Sequence, residues 1–199
     1  MSETATGFVP GSGGGALVLE SLESALGRNA TIYAEVLGGN INSGGQRNGG
    51  TLTAPNAEAV QKCITDAILD AGVSADEVDT INGHLTATSK DVLEIENWTK
   101  ALQRNGRDFP YINSLKSMTG HCLSAAGAIE SVASVLQICE QFIFPNINCE
   151  DVHPEILELI SEDKIPQKLL EKEINILVKA SFGFGDVNAC VIFKKYSKQ

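Results

Sequence analysis

The sequence predicts an α/β fold, a layered sheet with helices on its faces. Three observations carry this. Short apolar runs of strand length alternate with amphipathic helical stretches from residue 51 onwards. Several of these runs end in a glycine or polar loop, where open α/β folds keep their sites. Hydrophobic residues make up 43% of the 199 and charged residues 20%, which suits a packed core and not a disordered chain.

The elements follow in order. Residues 7–16 are glycine-rich and precede an apolar run, 16–20, expected to be a buried strand. A phosphate-cradling loop opens a helix instead, so nucleotide binding is not expected, and the glycines are read as allowing a close backbone crossing. Residues 21–27 form a short helix with Leu22, Ala25 and Leu26 apolar, and 31–37 a second strand. The Gly/Asn/Ser loop 40–50 is the candidate boundary between structural halves, dividing the chain into 1–50 and 51–199.

Beyond it Pro55 opens a helix with Val60, Ile64, Ala67, Ile68 and Ala71 on one face, closed by Gly72. Ser74 and Glu77 have capping-box spacing. A strand over 78–82 runs into Gly83 and His84, and a helix over 91–105 carries Leu93, Glu94, Trp98 and Leu102. Residues 111–115 form a strand, 116–121 a turn built on Gly120, and 122–140 a helix with small residues at its start. Residues 174–180 and 189–193 close the sheet around the turn 181–186. No internal repeat is visible.

Three strand-end loops hold unusual residues: His84, Thr86 and Thr88; Lys116 and His121; Phe182, Phe184 and Asp186. A lysine beside a histidine lowers the histidine's pKa, so the imidazole stays neutral at pH 7 and offers one donor and one acceptor. Two such imidazoles aimed at one point make an oxyanion hole or a clamp on a carbonyl. Glu130, fourteen residues after Lys116, is placed to fold back and pair with it. Thr86 and Thr88 alternate, either to line a polar tunnel wall or as simple strand alternation. His153, in an Asp-Val-His-Pro loop, is expected to be inert.

Composition excludes some functions. The formal net charge is −10, which argues against nucleic acid. No apolar run approaches the ~20 residues of a membrane span, and the start has neither the basic flank nor the apolar core of a signal peptide. The five cysteines (63, 122, 139, 149, 190) have no CxxC spacing, so reduced thiols in a cytoplasmic protein are expected, with no metal site.

The segments GFVPGSGGGALVLE, INGHLTAT, NSLKSMTGHCLSAAGAIE and SFGFGDVNACVIF together resemble the β-ketoacyl-acyl carrier protein synthases, thiolase-fold condensing enzymes of fatty-acid and polyketide synthesis. The resemblance runs over essentially the whole chain. It implies a thiolase-like layered fold, helices on a mixed five-stranded sheet, made of the C-terminal half plus the last strands of the N-terminal half. It also implies decarboxylative Claisen condensation of malonyl-carrier with an acyl thioester. By it, His84 and His121 are the active-site histidines and Lys116, supported by Glu130, the lysine of the site. Phe184 is the gating phenylalanine with Phe182 its neighbour, and Thr86 and Thr88 contact the carrier's phosphopantetheine arm. The acyl carrier protein is then a partner, that arm arrives with it, and neither a metal nor a diffusible cofactor is needed. A homodimer or heterodimer is expected when complete.

Departures accompany the resemblance. Family members run to about twice this length and carry the nucleophilic cysteine in the first half, which is expected to reside on another piece. Only Cys122 lies near a helix start, as a nucleophile requires, and the family has an apolar residue there. The loop between His84 and Asp91 is one residue short and lacks the usual Pro and Gly. Asp186 and Val187 stand where Gly and Thr are common. The alternative is a non-catalytic partner of the chain-length-factor kind, shaping an acyl tunnel. A thiolase-like breakdown of acyl-CoA is weaker still, because its Cys-x-Gly is missing near the end.

Overall fold

A computed structural model describes residues 1–197. In chain order the elements are α1 (Leu22–Gly27), β1 (Glu35–Ser43), α2 (Ala57–Asp70), β2 (Thr80–Asn82), α3 (Asp91–Leu102), β3 (Tyr111–Asn113), α4 (Lys116–Thr119) and α5 (Ala126–Glu140), then β4 (Phe142–Ile143), α6 (Pro154–Leu159), β5 (Leu170–Glu171), β6 (Ile176–Gly183) and β7 (Val187–Lys194). The main sheet is five-stranded and mixed, in the order β1-β7-β6-β2-β3. β6 pairs in parallel with β2, and β2 with β3, while β7 is antiparallel to both β6 and β1.

Side-chain alternation on β6 divides the interior into two layers. Ile176, Val178, Ala180 and Phe182 join Ile64, Ile81, Ile95, Trp98 and Ile112 in the larger core, under α2 and α3. Leu177 points the other way, to Ile138, Ile143, Ile174 and Phe193, on the side of α5. Lys179 shares that side, and its registered neighbours across β2 and β3 are Asn82 and Asn113. All three are buried, so a polar row lies between sheet and α5 at the strands' C-terminal ends.

Several expectations hold. The Ser74–Glu77 capping box forms. The glycine-rich stretch makes the close crossing: His121 N–H donates to Val9 O at 2.7 Å and Gly11 N–H to His121 O at 3.0 Å. At Gly15 a Cβ would sit 2.8 Å from the backbone of Ala128 and Ile129.

Others need correction. The helix expected to open at Pro55 starts instead at Ala57, with Asn56 as its cap accepting from the Glu58 and Ala59 N–H groups. Residues 16–20 form no strand and are not buried. Val18 is 92% exposed and Leu19 74%, because no described strand lies beside them to pair with or cover them. The strand expected over 31–37 runs instead from Glu35 to Ser43, where the register with β7 and a bulge between Val36 and Gly38 hold it. The supposed boundary loop therefore begins with paired strand, and β1 belongs to the same sheet as β6 and β7 although it precedes residue 50. The turn at 116–121 opens with the short helix α4. α5 starts only at Ala126, after a 3-10 turn over Leu123–Ala125, because Gly120 and Leu123 take positive φ. The small antiparallel β4–β5 pair and α6, which lies between them in the chain and is capped by the His153 side chain, were not visible in the pattern.

Candidate active site

The C-terminal ends of β2 and β3 and the β6–β7 hairpin converge on one cleft. His84 follows β2 directly. Its backbone N–H donates to Glu94 Oε1 and that of Leu85 to Glu94 Oε2, both at 2.7 Å, so a carboxylate from α3 fixes the chain at the histidine. Burial pushes the Glu94 carboxyl up to about 7, the neighbouring Asp91 adding to it, while the two backbone donors and Lys116 pull the other way. The next turn is tied by Asp91, which accepts from Thr86 N at 2.9 Å and Ala87 N at 3.2 Å; Ala87 takes a positive φ there. Thr86 and Thr88 are hydrogen-bonded to each other through their hydroxyls at 3.1 Å.

His121 is held on the other side by the crossing strand of residues 9–11. Its Nδ1 accepts from Leu123 N–H at 3.0 Å, which leaves the proton of the neutral ring on Nε2. The His84 and His121 rings lie edge to face with centroids 5.3 Å apart. Burial, then the positive charges of Lys116 and Lys179, then His121, hold the His84 pKa down to about 2. Burial and Lys116 lower His121 as well, with Glu130 opposing. Both rings are neutral near pH 7, as the sequence suggested. His84 Nδ1 has no hydrogen-bond partner among the described residues.

Lys116 and Glu130 do pair, Nζ to Oε1 at 2.5 Å, and Lys179 reaches Glu130 Oε2 at 2.8 Å. Phe182 is buried against His84 and Trp98. Phe184 is 61% exposed at the rim, on the turn between β6 and β7. His84, His121, Thr86, Thr88, Phe182 and Phe184 line a cavity of about 770 Å³, large enough for an extended thioester chain. Lys116 lines a smaller one of about 320 Å³, which shares Thr86, His121 and Phe8 with the first. Six of the eight residues picked from the sequence thus line one cleft, Lys116 lines the adjoining cavity, and Glu130 lies behind it, paired with Lys116.

Three residues were missed. Lys179 had a signal, a lone lysine inside the apolar run of β6. Glu94 was read only as part of a helix face. Asp186, noted as unusual, proves to be fully buried. It accepts from Gln46 N at 2.9 Å and Asn56 N at 2.8 Å, and so ties the Phe184 turn to the glycine-rich loop after β1.

The model for the β-ketoacyl synthase C-terminal domain matches residues 33–150. The chain belongs to the β-ketoacyl synthase family. It is 39% identical over 192 residues to 3-oxoacyl-[acyl-carrier-protein] synthase I, chloroplastic, of Hordeum vulgare, covering 96% of this chain and 40% of that protein. Among solved structures, the ishigamide ketosynthase/chain length factor superposes with a TM-score of 0.89 at 34% identity, covering 98% of this chain and 46% of that one. A type II polyketide ketosynthase in complex with its acyl-carrier protein matches at TM-score 0.78 and 34% identity, over 89% and 42%. The family's thiolase-like fold is therefore present. The chain spans about two fifths of the length of the relatives it matches.

Proposed function

We propose that this chain is the histidine–lysine portion of a 3-oxoacyl-acyl carrier protein synthase, an acyltransferase of fatty-acid or polyketide synthesis. The observation that carries the reading is the pair of neutral imidazoles, 5.3 Å apart, lining a chain-sized cavity. In the reaction the malonyl thioester loses its carboxylate as CO2. The bonding pair passes into an enolate, whose oxygen takes its hydrogen bonds from imidazole N–H groups. The enolate carbon then attacks an acyl thioester on a cysteine, expelling the thiolate and leaving a 3-oxoacyl-carrier. His121 Nε2–H is a donor for that oxygen, and His84 completes the clamp. Thr86 and Thr88 are assigned to the phosphopantetheine arm, and Phe184 to opening and closing the cavity mouth. The carrier is the substrate's vehicle, and no resident metal or cofactor enters the steps.

The acyl-accepting cysteine is assigned to a separate N-terminal portion. Burial raises the thiol pKa of Cys63, Cys149 and Cys190, and at the exposed Cys139 partial desolvation and the Glu140 carboxylate beside it raise it too, the opposite of activation. Cys122 Sγ is buried and turned to Thr119 O at 3.8 Å. The exposed apolar segment 16–20 is assigned to the sheet of that missing portion, as its last strand, and the whole enzyme to a dimer. Five unpaired cysteines suit a reducing compartment such as the cytoplasm.

The test is CO2 release from malonyl-carrier by this chain, alone and mixed with an N-terminal half that carries the cysteine. Release only in the mixture, abolished by His121→Ala, is expected. No release from a well-folded complex would leave the tunnel-shaping chain-length-factor role, which the ketosynthase/chain length factor similarity also supports.

A further inference from the structure

Lys179 is an unusual residue for its position. It sits in the middle of β6, three strands deep in the sheet, with its side chain 3% exposed. Burying an ammonium is costly unless it is paired and hydrogen-bonded on several sides. Here it is: Nζ contacts Glu130 Oε2 at 2.8 Å, donates to Ser181 Oγ at 2.9 Å, and donates to the Ala180 carbonyl. Glu130, itself buried on α5, gives its other oxygen to Lys116 at 2.5 Å. One carboxylate is therefore clamped between two lysine side chains. Burial pulls the Lys179 pKa down and the Glu130 carboxylate opposes it; with all three groups ionised the trio carries a net charge of +1.

We propose that Lys179 is a positioning residue of the active site. It is a built-in cation that locks the Glu130 carboxylate, through it aims Lys116, and supplies a second positive charge behind the two imidazoles. A Lys116–Glu130 pair alone would be neutral and would exert little field on its surroundings. Adding Lys179 makes the floor of the cleft positive, which disfavours imidazolium and favours negative charge growing at the histidine N–H groups. The geometry stands by itself; its benefit to the reaction rests on the condensation proposed above.

The charged and titratable groups facing the imidazoles are Lys116 from α4, Glu130 from α5, Lys179 from β6, Glu94 and Asp91 from α3, and each imidazole to the other. Changing the trio's net charge while leaving the rest in place isolates Lys179. The experiment is NMR titration of the histidine rings in the full chain, with His153, which caps α6, as internal reference. Lys179→Met lowers the trio's charge to zero, so the His121 midpoint should rise by roughly one pH unit, a tenfold gain in proton affinity. Adding Glu130→Gln restores +1, and the midpoint should return toward that of the parent chain. A lysine that merely filled space would give no return, because the second substitution only loosens the site further. An unchanged His121 midpoint in folded Lys179→Met, or a further rise in the double variant, overturns the proposal. If Lys179→Met does not fold, Glu130→Gln against the double variant reads the same charge, with the lower midpoint expected in Glu130→Gln. None of these readouts needs CO2 release, so failure of the condensation reading leaves them interpretable.

Discussion

Two buried groups in the cleft are held away from their usual protonation, and in opposite senses. Glu94 is raised from 4.5 to about 7, so it is protonated in the folded chain where the unfolded chain is ionised. Its contribution to stability is complete below 4.5 and is lost as pH rises through about 7. His84 is lowered from 6.5 to about 2, so the unfolded chain takes up a proton that the folded chain refuses. Its contribution is complete above 6.5 and is lost as pH falls toward 2. Between 4.5 and 6.5 the two slopes oppose, and each is worth about 1.4 kcal/mol per pH unit. Glu94→Gln should unmask the histidine. Its unfolding free energy, measured by urea titration across that window, should drop more steeply on acidification than the parent's. It should also be lower throughout by about 1–3 kcal/mol, because an amide oxygen serves one backbone N–H where the carboxyl served both His84 and Leu85. Equal slopes in both proteins would mean that Glu94 is ionised in the fold.

At the scale of elements, the close crossing and the hairpin tether decide how the cleft is shaped. Gly15 packs against the α5 backbone, whereas a Cβ on Gly14 meets nothing within 4 Å. Gly15→Ala should therefore cost about 1–3 kcal/mol by forcing the glycine-rich segment off the helix, and Gly14→Ala about nothing, in paired thermal melts. Asp186 binds the Phe184 turn to Gln46 and Asn56. Asp186→Gly removes both acceptors while relieving a positive φ of 63°. Hydrogen exchange at the Gln46 and Asn56 amides should accelerate at least tenfold, the consequence of about 1.4 kcal/mol or more of lost local stability. The contrast between these two cases explains what was legible in the sequence. Glycines at the crossing, the capping box at Ser74, and histidines at strand ends are local signals, written within a few residues. The α3, β2 and β3 elements, and with them His84 and His121, followed from those signals. The Asp186 tether spans 140 residues between Gln46 and Asp186, and Lys179 meets Glu130 only through sheet register, so periodicity carried neither. The strand expected over 16–20 failed for the same reason: its apolar pattern specifies a buried neighbour, and a strand exists only where that neighbour is present.

At the scale of the whole molecule, the exposed apolar residues gather on one face. Leu17, Val18, Leu19, Leu22, Leu26, Tyr33 and Val36 are all exposed. Several of them line one cavity of about 580 Å³ with Val135 and Phe193. An apolar face of this kind on one side of an otherwise layered sheet is an interaction surface. The relatives are more than twice as long as this chain, and the N-terminal portion proposed above is the partner assigned to this face. Val18 and Leu19 contribute little to the isolated chain, so Val18→Ser with Leu19→Lys should change its melting free energy by less than about 0.5 kcal/mol. The same pair should make the chain more soluble and reduce its binding of a hydrophobic dye such as ANS. Mixed with an N-terminal half, the parent chain should lose its dye binding and elute as a complex from a sizing column, and the variant should do neither. Dye binding that persists in the parent mixture, with no complex, would place the other half elsewhere and leave this face to a different partner.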